Sequence, residues 1–75
     1  MDFTDYYKIE RKNINKLEMI LQSYENLAIF STMESKTAVV RIMSDINNKE
    51  LIADILNSID IDLEKLEKYG TEENK

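Results

Sequence analysis

The chain has no cysteine and no histidine among its 75 residues. Without cysteine it forms neither a disulfide nor a thiolate metal site. Without histidine, the His-based catalytic triads and the Glu-x-x-His sites of helical di-iron proteins are excluded within this chain. There is also no glycine-rich loop to bind phosphate. We therefore expect a protein that is not an enzyme, with no catalytic residue, no metal site and no cofactor.

Proline is absent and Gly70 is the single glycine. Extended all-β folds usually need such residues in their turns, so their scarcity disfavours strands. No apolar run approaches the ~20 residues of a membrane-spanning helix, and the initial Met-Asp-Phe-Thr-Asp lacks the basic start of a signal peptide. We expect a cytoplasmic protein that makes no contact with a membrane. Its abundance of Ile, Lys, Asn and Glu is typical of low-GC bacteria and their phages.

The formal net charge is −5 and is unevenly distributed. Residues 1–37 carry six acids and five bases, which gives −1, whereas residues 38–75 carry nine acids and five bases, which gives −4. The acidic half could mimic the phosphates of DNA, and a basic cluster could bind phosphate weakly. That cluster consists of Lys8, Arg11, Lys12 and Lys16. Because the acids are interleaved with lysine and the cluster is small, a nucleic-acid role is only an alternative hypothesis.

The clearest pattern is a stripe of apolar residues between positions 14 and 28. Its members recur at spacings of three and four: Ile14, Leu17, Leu21, Tyr24 and Ala28. This spacing places them on one face of a helix, which must be buried against other helices. Phe3, Tyr6 and Tyr7 extend the stripe towards the N-terminus, so we predict a long first helix over about 3–30.

Two capping patterns divide the rest of the chain. Ser31-Thr-Met-Glu34 predicts a break and then a second helix over 32–46, although one continuous helix over 3–46 is an alternative. Asn47-Asn-Lys-Glu50 predicts a turn at Asn47–Asn48 and a third helix over 48–69. A kink at Ser58–Ile59 is a further alternative. The second helix would bury Met33, Ala38, Val39, Ile42, Met43 and Ile46. The third would present a seam of Ile52, Leu56, Ile59, Leu63 and Leu66.

These patterns predict an all-α fold. We expect a single domain over 1–70, a helical bundle of three helices with coiled-coil seams, followed by a disordered polar tail over 71–75. So short a chain buries a small core, so a homodimer is expected to complete the bundle. The leading functional hypothesis is an acidic protein–protein interaction module, a regulator or inhibitor that binds one larger protein. Met19, Ile29 and Phe30 lie off the seam and are the candidate partner-binding residues.

Two motifs in the acidic half suggest other chemistry. Asp60-Ile-Asp-Leu-Glu64 begins like a calcium loop, but Lys65 stands where such a loop needs glycine, so we interpret these acids as capping or solvated residues. The segment 58–69 resembles the Ser-Gln-x-Leu-Asp-x-Leu-Ile stretch of small helical-hairpin aspartyl-phosphate phosphatases, with Ile59 in place of Gln. This resemblance implies a second alternative function, phosphatase activity, in which Asp62 is the residue that matters.

Overall fold

The computed structural model describes residues 1–34, 36 and 38–67, and these form an α+β fold. The elements in chain order are β1 (Asp2–Ile9), α1 (Ile14–Gln22), β2 (Ile29–Glu34), β3 (Val39–Asp45), α2 (Lys49–Ser58) and β4 (Leu63–Leu66). A 3₁₀ turn precedes each helix, at Arg11–Asn13 and Ile46–Asn48. Neither helix in the described ranges is long and apolar enough to cross a membrane. The prediction of an all-α helical bundle is therefore wrong.

The four strands form one antiparallel sheet in the order β2-β3-β1-β4. β1 is a central strand, which pairs with β3 from Asp2 opposite Asp45 to Lys8 opposite Val39. Its other edge pairs with β4. β3 lies between β1 and β2, which are joined through α1, so the topology is the split β-α-β arrangement of ferredoxin-like folds.

Both helices pack on the same face of the sheet. Side chains alternate along a strand, so Val40 and Ile42 of β3 point to one side, and both are fully buried. They join the buried residues of both helices in one hydrophobic core, which includes Leu17, Leu21, Ile52 and Ile55. One sheet and one layer of helices also account for the molecule's shortest dimension of 17 Å.

Ser44 is the buried polar residue on the helix side of β3. Its hydroxyl donates a hydrogen bond to the carbonyl oxygen of Leu27, which precedes β2. The side-chain amide of Asn48 donates to Ser44 Oγ at 3.2 Å. These bonds tie the α1–β2 connection to the start of α2 and satisfy groups that would be costly to bury unpaired.

The predicted first helix over 3–30 corresponds to a strand, a 3₁₀ turn, a shorter helix and the start of a second strand. Its central part is correct, because Ile14–Gln22 forms α1 and buries Leu17 and Leu21 at 0% and 2% exposure. The backbone N–H of Ser23 then bonds back to the last turn and ends the helix. Tyr24 and Ala28 lie beyond that end, and residues 2–9 are held as β1 by pairing on both edges.

The second predicted helix is wrong, and the third is correct only in its first half, which forms α2. No break occurs at Ser31, because β2 runs through it, and β3 replaces the rest of the predicted helix over 32–46. The predicted turn at Asn47–Asn48 coincides with a 3₁₀ turn, and α2 follows it. That helix ends at Ser58, where the alternative placed a kink, and Leu63 and Leu66 belong to β4. The predicted tail over 71–75 lies outside the described residues.

Two residues other than glycine adopt the left-handed backbone conformation that the connections require. Asn26 and Ala38 each have a φ of 58°. Asparagine tolerates this region, whereas for alanine it costs about 1 kcal/mol. The chain therefore turns without glycine at these points, which is why its glycine content is a poor guide to its strands.

Candidate functional site

The first candidate site is the side of the sheet opposite the helices, which we call the open face. Within residues 1–34, 36 and 38–67, no helix lies on it. Register and alternation place on this face Thr4, Tyr6, Ile29, Ser31, Arg41, Met43 and Leu66. Ile29 is 58% exposed there. The described chain thus leaves one side of its sheet accessible.

Apolar side chains form a band across the open face. Ile29 and Met43 lie directly opposite each other on β2 and β3. Leu66 lies opposite Tyr6 on the other half of the sheet. The uncovered face of an antiparallel sheet is ordinarily polar, so such a band is typical of a surface that contacts another molecule.

Arg41 lies at the centre of the open face, opposite Tyr6 on β1 and Ser31 on β2. Its Nη2 atom donates to Ser31 Oγ over a long distance of 3.4 Å. Its Nε atom is buried and has no hydrogen-bond acceptor among the described residues. A buried unpaired donor costs about 1–3 kcal/mol, so the Arg41 position carries an unsatisfied polar group beneath the open face.

The three predicted partner-binding residues do not share a surface. Ile29 is exposed on the open face. Phe30, its neighbour in β2, points to the other side and packs against the core. Met19 is 67% exposed on α1, in the helix layer. In one continuous helix Met19 and Phe30 would lie on the same face. In the structure Met19 belongs to α1 and Phe30 to β2, so the two side chains lie in different environments.

The predicted seam residues are distributed through the chain's own core and its margins. Leu17, Leu21 and Ile52 are buried in the core, and Ile14, Ala28, Leu56, Ile59 and Leu63 are half-buried against it. Tyr24 is 42% exposed, and Leu66 lies on the open face. The coiled-coil seams of the predicted bundle are therefore wrong, although the apolar stripe of α1 does face the core.

A second candidate site lies on the helix side of β1 and β4. Tyr7 is directly opposite Lys65, and Asp5 precedes Tyr7 by two residues, so all three side chains face the helix layer. Lys65 Nζ lies 3.6 Å from Asp5 Oδ1. Burial, with a further contribution from the charge of Asp5, raises the pKa of Tyr7 and keeps its hydroxyl protonated.

This polar cluster borders a cleft of about 420 Å³ between α2 and β4. The lining combines apolar side chains from α2 and the loop after it with Tyr7, Asn57, Asp62 and Lys65. Sequence reasoning missed the cleft because it treated residues 48–69 as one helix. The signal that could have found it is the polar Asp5 among the alternating apolar positions Phe3, Tyr7 and Ile9.

Asp62, the residue implied by the phosphatase resemblance, lines this cleft. The helical hairpin that the resemblance implies is contradicted, because residues 63–66 form a strand. In the part of the chain that the structure describes, no three His, Cys, Asp or Glu side chains are grouped so that they could hold a metal ion.

The predicted basic cluster is spread over the β1–α1 connection. Lys8 lies near the end of β1, Arg11 and Lys12 lie in the 3₁₀ turn, and Lys16 lies in α1. Arg11 donates to the carbonyl oxygen of Lys36 at 3.3 Å, and Lys12 lies 3.9 Å from the carboxylate of Glu10. Two of the four bases therefore make contacts within the chain.

Asp45 lies at the acidic end of the open face, and its contacts predict how the stability of the fold depends on pH. The backbone N–H of Asn47 donates to Asp45 Oδ2 at 2.8 Å, and the Met1 amino group lies 3.3 Å from Oδ1. The Asn47 hydrogen bond chiefly lowers the pKa of Asp45, with the amino group helping. A lowered folded-state pKa contributes stability above the unfolded pKa and loses it as pH falls through the folded value.

We therefore expect wild-type stability to fall on acidification by more than that of Asp45→Asn, which has no carboxylate to titrate. Urea unfolding at neutral and acidic pH measures both losses. Asp54→Asn, at an exposed position of α2, is the matched control and should follow the wild type. Equal acid losses in the Asp45 variant and the wild type would contradict this role.

Comparison with known proteins identifies one family. The family described as Domain of unknown function (DUF4911) matches residues 7–62, from within β1 to the residue before β4. The match covers well over half of the chain and includes both helices. No curated protein and no solved structure matches the chain.

Proposed function

The chain belongs to the DUF4911 family, and we propose that it is a non-enzymatic protein–protein interaction module that binds through its open face. The observation that carries this proposal is the apolar band on that face, with Ile29 58% exposed and Arg41 at its centre. The guanidinium of Arg41, whose Nη2 makes only a long hydrogen bond of 3.4 Å to Ser31 Oγ, favours a partner surface that is apolar and brings an oxygen to Arg41.

We propose a second copy of this chain as the first occupant of the open face. A copy supplies the same apolar band, which supports a symmetric contact. It also supplies carboxylates, because Asp2 and Glu64 occupy the open face of β1 and β4 on either side of the row that contains Arg41. The copy can therefore bring both apolar area and a hydrogen-bond acceptor.

The size of the open face predicts a weak dimer. Four strands of four to eight residues, spaced by about 4.8 Å and rising about 3.4 Å per residue, give a face of roughly 400 Å². Two such faces bury under about 1,000 Å², the low end of specific interfaces. We therefore expect an association in the micromolar range that responds to concentration, which suits a regulatory protein better than a permanent assembly.

Sedimentation velocity between about 10 μM and 1 mM tests this proposal, because a micromolar dissociation constant corresponds to about −8 kcal/mol. Ile29→Asp should weaken association at least about tenfold, since a carboxylate in an apolar contact costs more than 1.4 kcal/mol. Met19→Asp is the matched control, because Met19 is similarly exposed but lies on α1. It should associate like the wild type.

Arg41→Gln provides an independent readout of the same surface. It removes the guanidinium while keeping a polar side chain, and we expect weaker association without loss of the folded monomer. A wild-type monomer at every concentration would overturn self-association. If Ile29→Asp and Met19→Asp affected association equally, the open face would not be the surface that forms the contact.

A larger protein target is the second candidate occupant. The same face, with its cationic centre, suits an apolar surface that presents a carboxylate. Such a partner would make the chain a regulator or inhibitor of the protein it covers. We also propose a cytoplasmic location, because a small secreted domain is usually stabilised by disulfides and this chain has no cysteine.

A further inference from the structure

The two edge strands of the sheet differ in length and in charge. β4, at one edge, has four residues, of which Glu64 and Lys65 are charged. Natural sheets use short strands and charged side chains, lysine above all, to prevent their edges from pairing with other chains. β2, at the other edge, has six residues, and Glu34 at its end is the one charged residue in it. β2 therefore lacks the protection that β4 has.

Hydrogen bonds at the two ends of β3 show which of its residues bond to β1. Before β3, the backbone N–H of Ile9 donates to the carbonyl oxygen of Ala38 at 3.0 Å, and after β3, the N–H of Ile46 donates to that of Met1 at 2.7 Å. Both pairs continue the register of β1 with β3, so the even-numbered residues over 38–46 bond to β1. Because hydrogen-bonded pairs alternate along an antiparallel ladder, the odd-numbered residues of β3 bond to β2.

The same alternation identifies the outward backbone groups of β2. Arg41 of β3 is directly opposite Ser31, so the N–H and C=O of Ser31 point towards β3. Its neighbours Phe30 and Thr32 therefore direct their N–H and C=O groups away from β3. Within the described chain no strand lies beyond β2 to bond with them. The outer edge of β2 thus presents two donors and two acceptors to another strand.

We propose that β2 pairs antiparallel with β2 of a second copy, with Ser31 of the two chains directly opposite each other. In this register Phe30 of each copy lies opposite Thr32 of the other, so their outward groups form about four hydrogen bonds between the chains. The two Glu34 carboxylates lie at opposite ends of the pair, roughly 20 Å apart, where they do not repel each other strongly. The register shift between Thr32 and Glu34 also lies outside the paired segment.

Pairing at this edge enlarges the open face. Residues directly opposite each other in an antiparallel pair point to the same side of the sheet, so the two open faces lie side by side on a sheet of eight strands. The joint face measures roughly 800 Å², twice that of one chain. Contact of such a face with a surface of equal size buries about 1,600 Å², the standard size of a specific interface. The edge contact itself uses the backbone of β2 and does not depend on the proposed open-face contact.

Single cysteines test the register, because the chain has none of its own. In Ser31→Cys the two introduced residues are opposite each other at a Cα–Cα distance of about 4.5 Å, which a disulfide can span. Thr32→Cys is the matched control on the same edge, where the two Cα atoms are about 8 Å apart and too distant for a disulfide. With oxidised glutathione and non-reducing gel electrophoresis, we expect Ser31→Cys to form the linked dimer at least about tenfold faster.

Thr32→Pro in the Ser31→Cys chain separates edge pairing from a contact through the open face. Proline removes the outward N–H of Thr32 in each copy, whereas the inward bonds to β3 remain, so the monomer tolerates it at an edge. The loss of two hydrogen bonds should slow disulfide formation about tenfold. Thr32→Val keeps the N–H and should leave the rate unchanged.

Hydrogen exchange of the chain without substitutions gives an independent readout. Between about 10 μM and 1 mM, exchange of the Phe30 and Thr32 amides should slow by at least about threefold, whereas that of Ser31, already bonded to β3, should change less. Exchange that is independent of concentration would overturn the proposal. Equal disulfide rates in Ser31→Cys and Thr32→Cys would overturn it as well. If disulfide formation survived Thr32→Pro, the contact would lie on the open face and not at the edge.

Discussion

Leu21→Asp is expected to abolish cooperative unfolding, whereas Met19→Asp is expected to retain it. Leu21 is 2% exposed in the core under α1, and Met19 is 67% exposed on the same helix. A chain of 75 residues has about 4–11 kcal/mol of stability. Burying an unpaired carboxylate costs several kcal/mol, which is comparable to the whole stability of such a chain.

Thermal unfolding followed by circular dichroism distinguishes the two variants. The wild type and Met19→Asp should each give one sigmoidal transition at similar temperatures. Leu21→Asp should give a broad, non-cooperative change and a spectrum of reduced structure at low temperature. A sharp transition in Leu21→Asp would mean that α1 does not bury this face.

Ile42→Ala is expected to lower the free energy of unfolding by about 2–5 kcal/mol, the cost of emptying a well-packed core position. Met43→Ala should cost less than about 1 kcal/mol, because Met43 lies on the open face. The two residues are consecutive, so the contrast reports directly on the alternation of a strand. In the helical interpretation both side chains lie on the buried side and both substitutions would be costly.

Urea unfolding of the two variants, at a protein concentration below that of self-association, measures this contrast. At such a concentration the folded state is the monomer. The free energy of unfolding of Met43→Ala then contains no contribution from a contact between Met43 and a second copy. Comparable losses in the two variants would contradict the alternating burial of β3.

The two helical signals that sequence analysis located correctly are local. The spacing of Ile14, Leu17 and Leu21 reports a helix that is complete within nine residues. The turn at Asn47–Asn48 lies directly before α2, although the Asn48 side chain makes no capping hydrogen bond to the helix and donates to Ser44 Oγ instead. Such features depend on neighbours in the chain and are accessible to pattern analysis.

The strands depend on distant residues and were misinterpreted. Around β3, the sequence contains both a helical set, Ile42, Met43 and Ile46, and an alternating set, Val40, Ile42 and Ser44. A short apolar run fits either periodicity, and pairing with β1 decides between them. The left-handed backbone of Asn26 and Ala38 then supplies turns that the missing glycines would otherwise have signalled.

The candidate sites show the same difference between local signals, which the sequence reveals, and contacts between distant residues, which it does not. Ile29 was identified as exposed and apolar from sequence, but the open face around it requires the sheet register. Asp5 and Lys65 lie sixty positions apart, and only the pairing of β1 with β4 brings their charged groups to 3.6 Å. No periodicity in a single helix or strand relates two such residues.

The central position of β1 also determines when the sheet can form during synthesis. β1 precedes the other strands of this sheet in the chain, but its partner β3 begins thirty residues after β1 ends, and β4 follows later still. Until then α1 has no sheet to cover, and Tyr6 and Tyr7 remain on an unpaired strand. β1 therefore keeps an open hydrogen-bonding edge until β3 has been synthesised, and folding proceeds at the slower rate of non-local pairing.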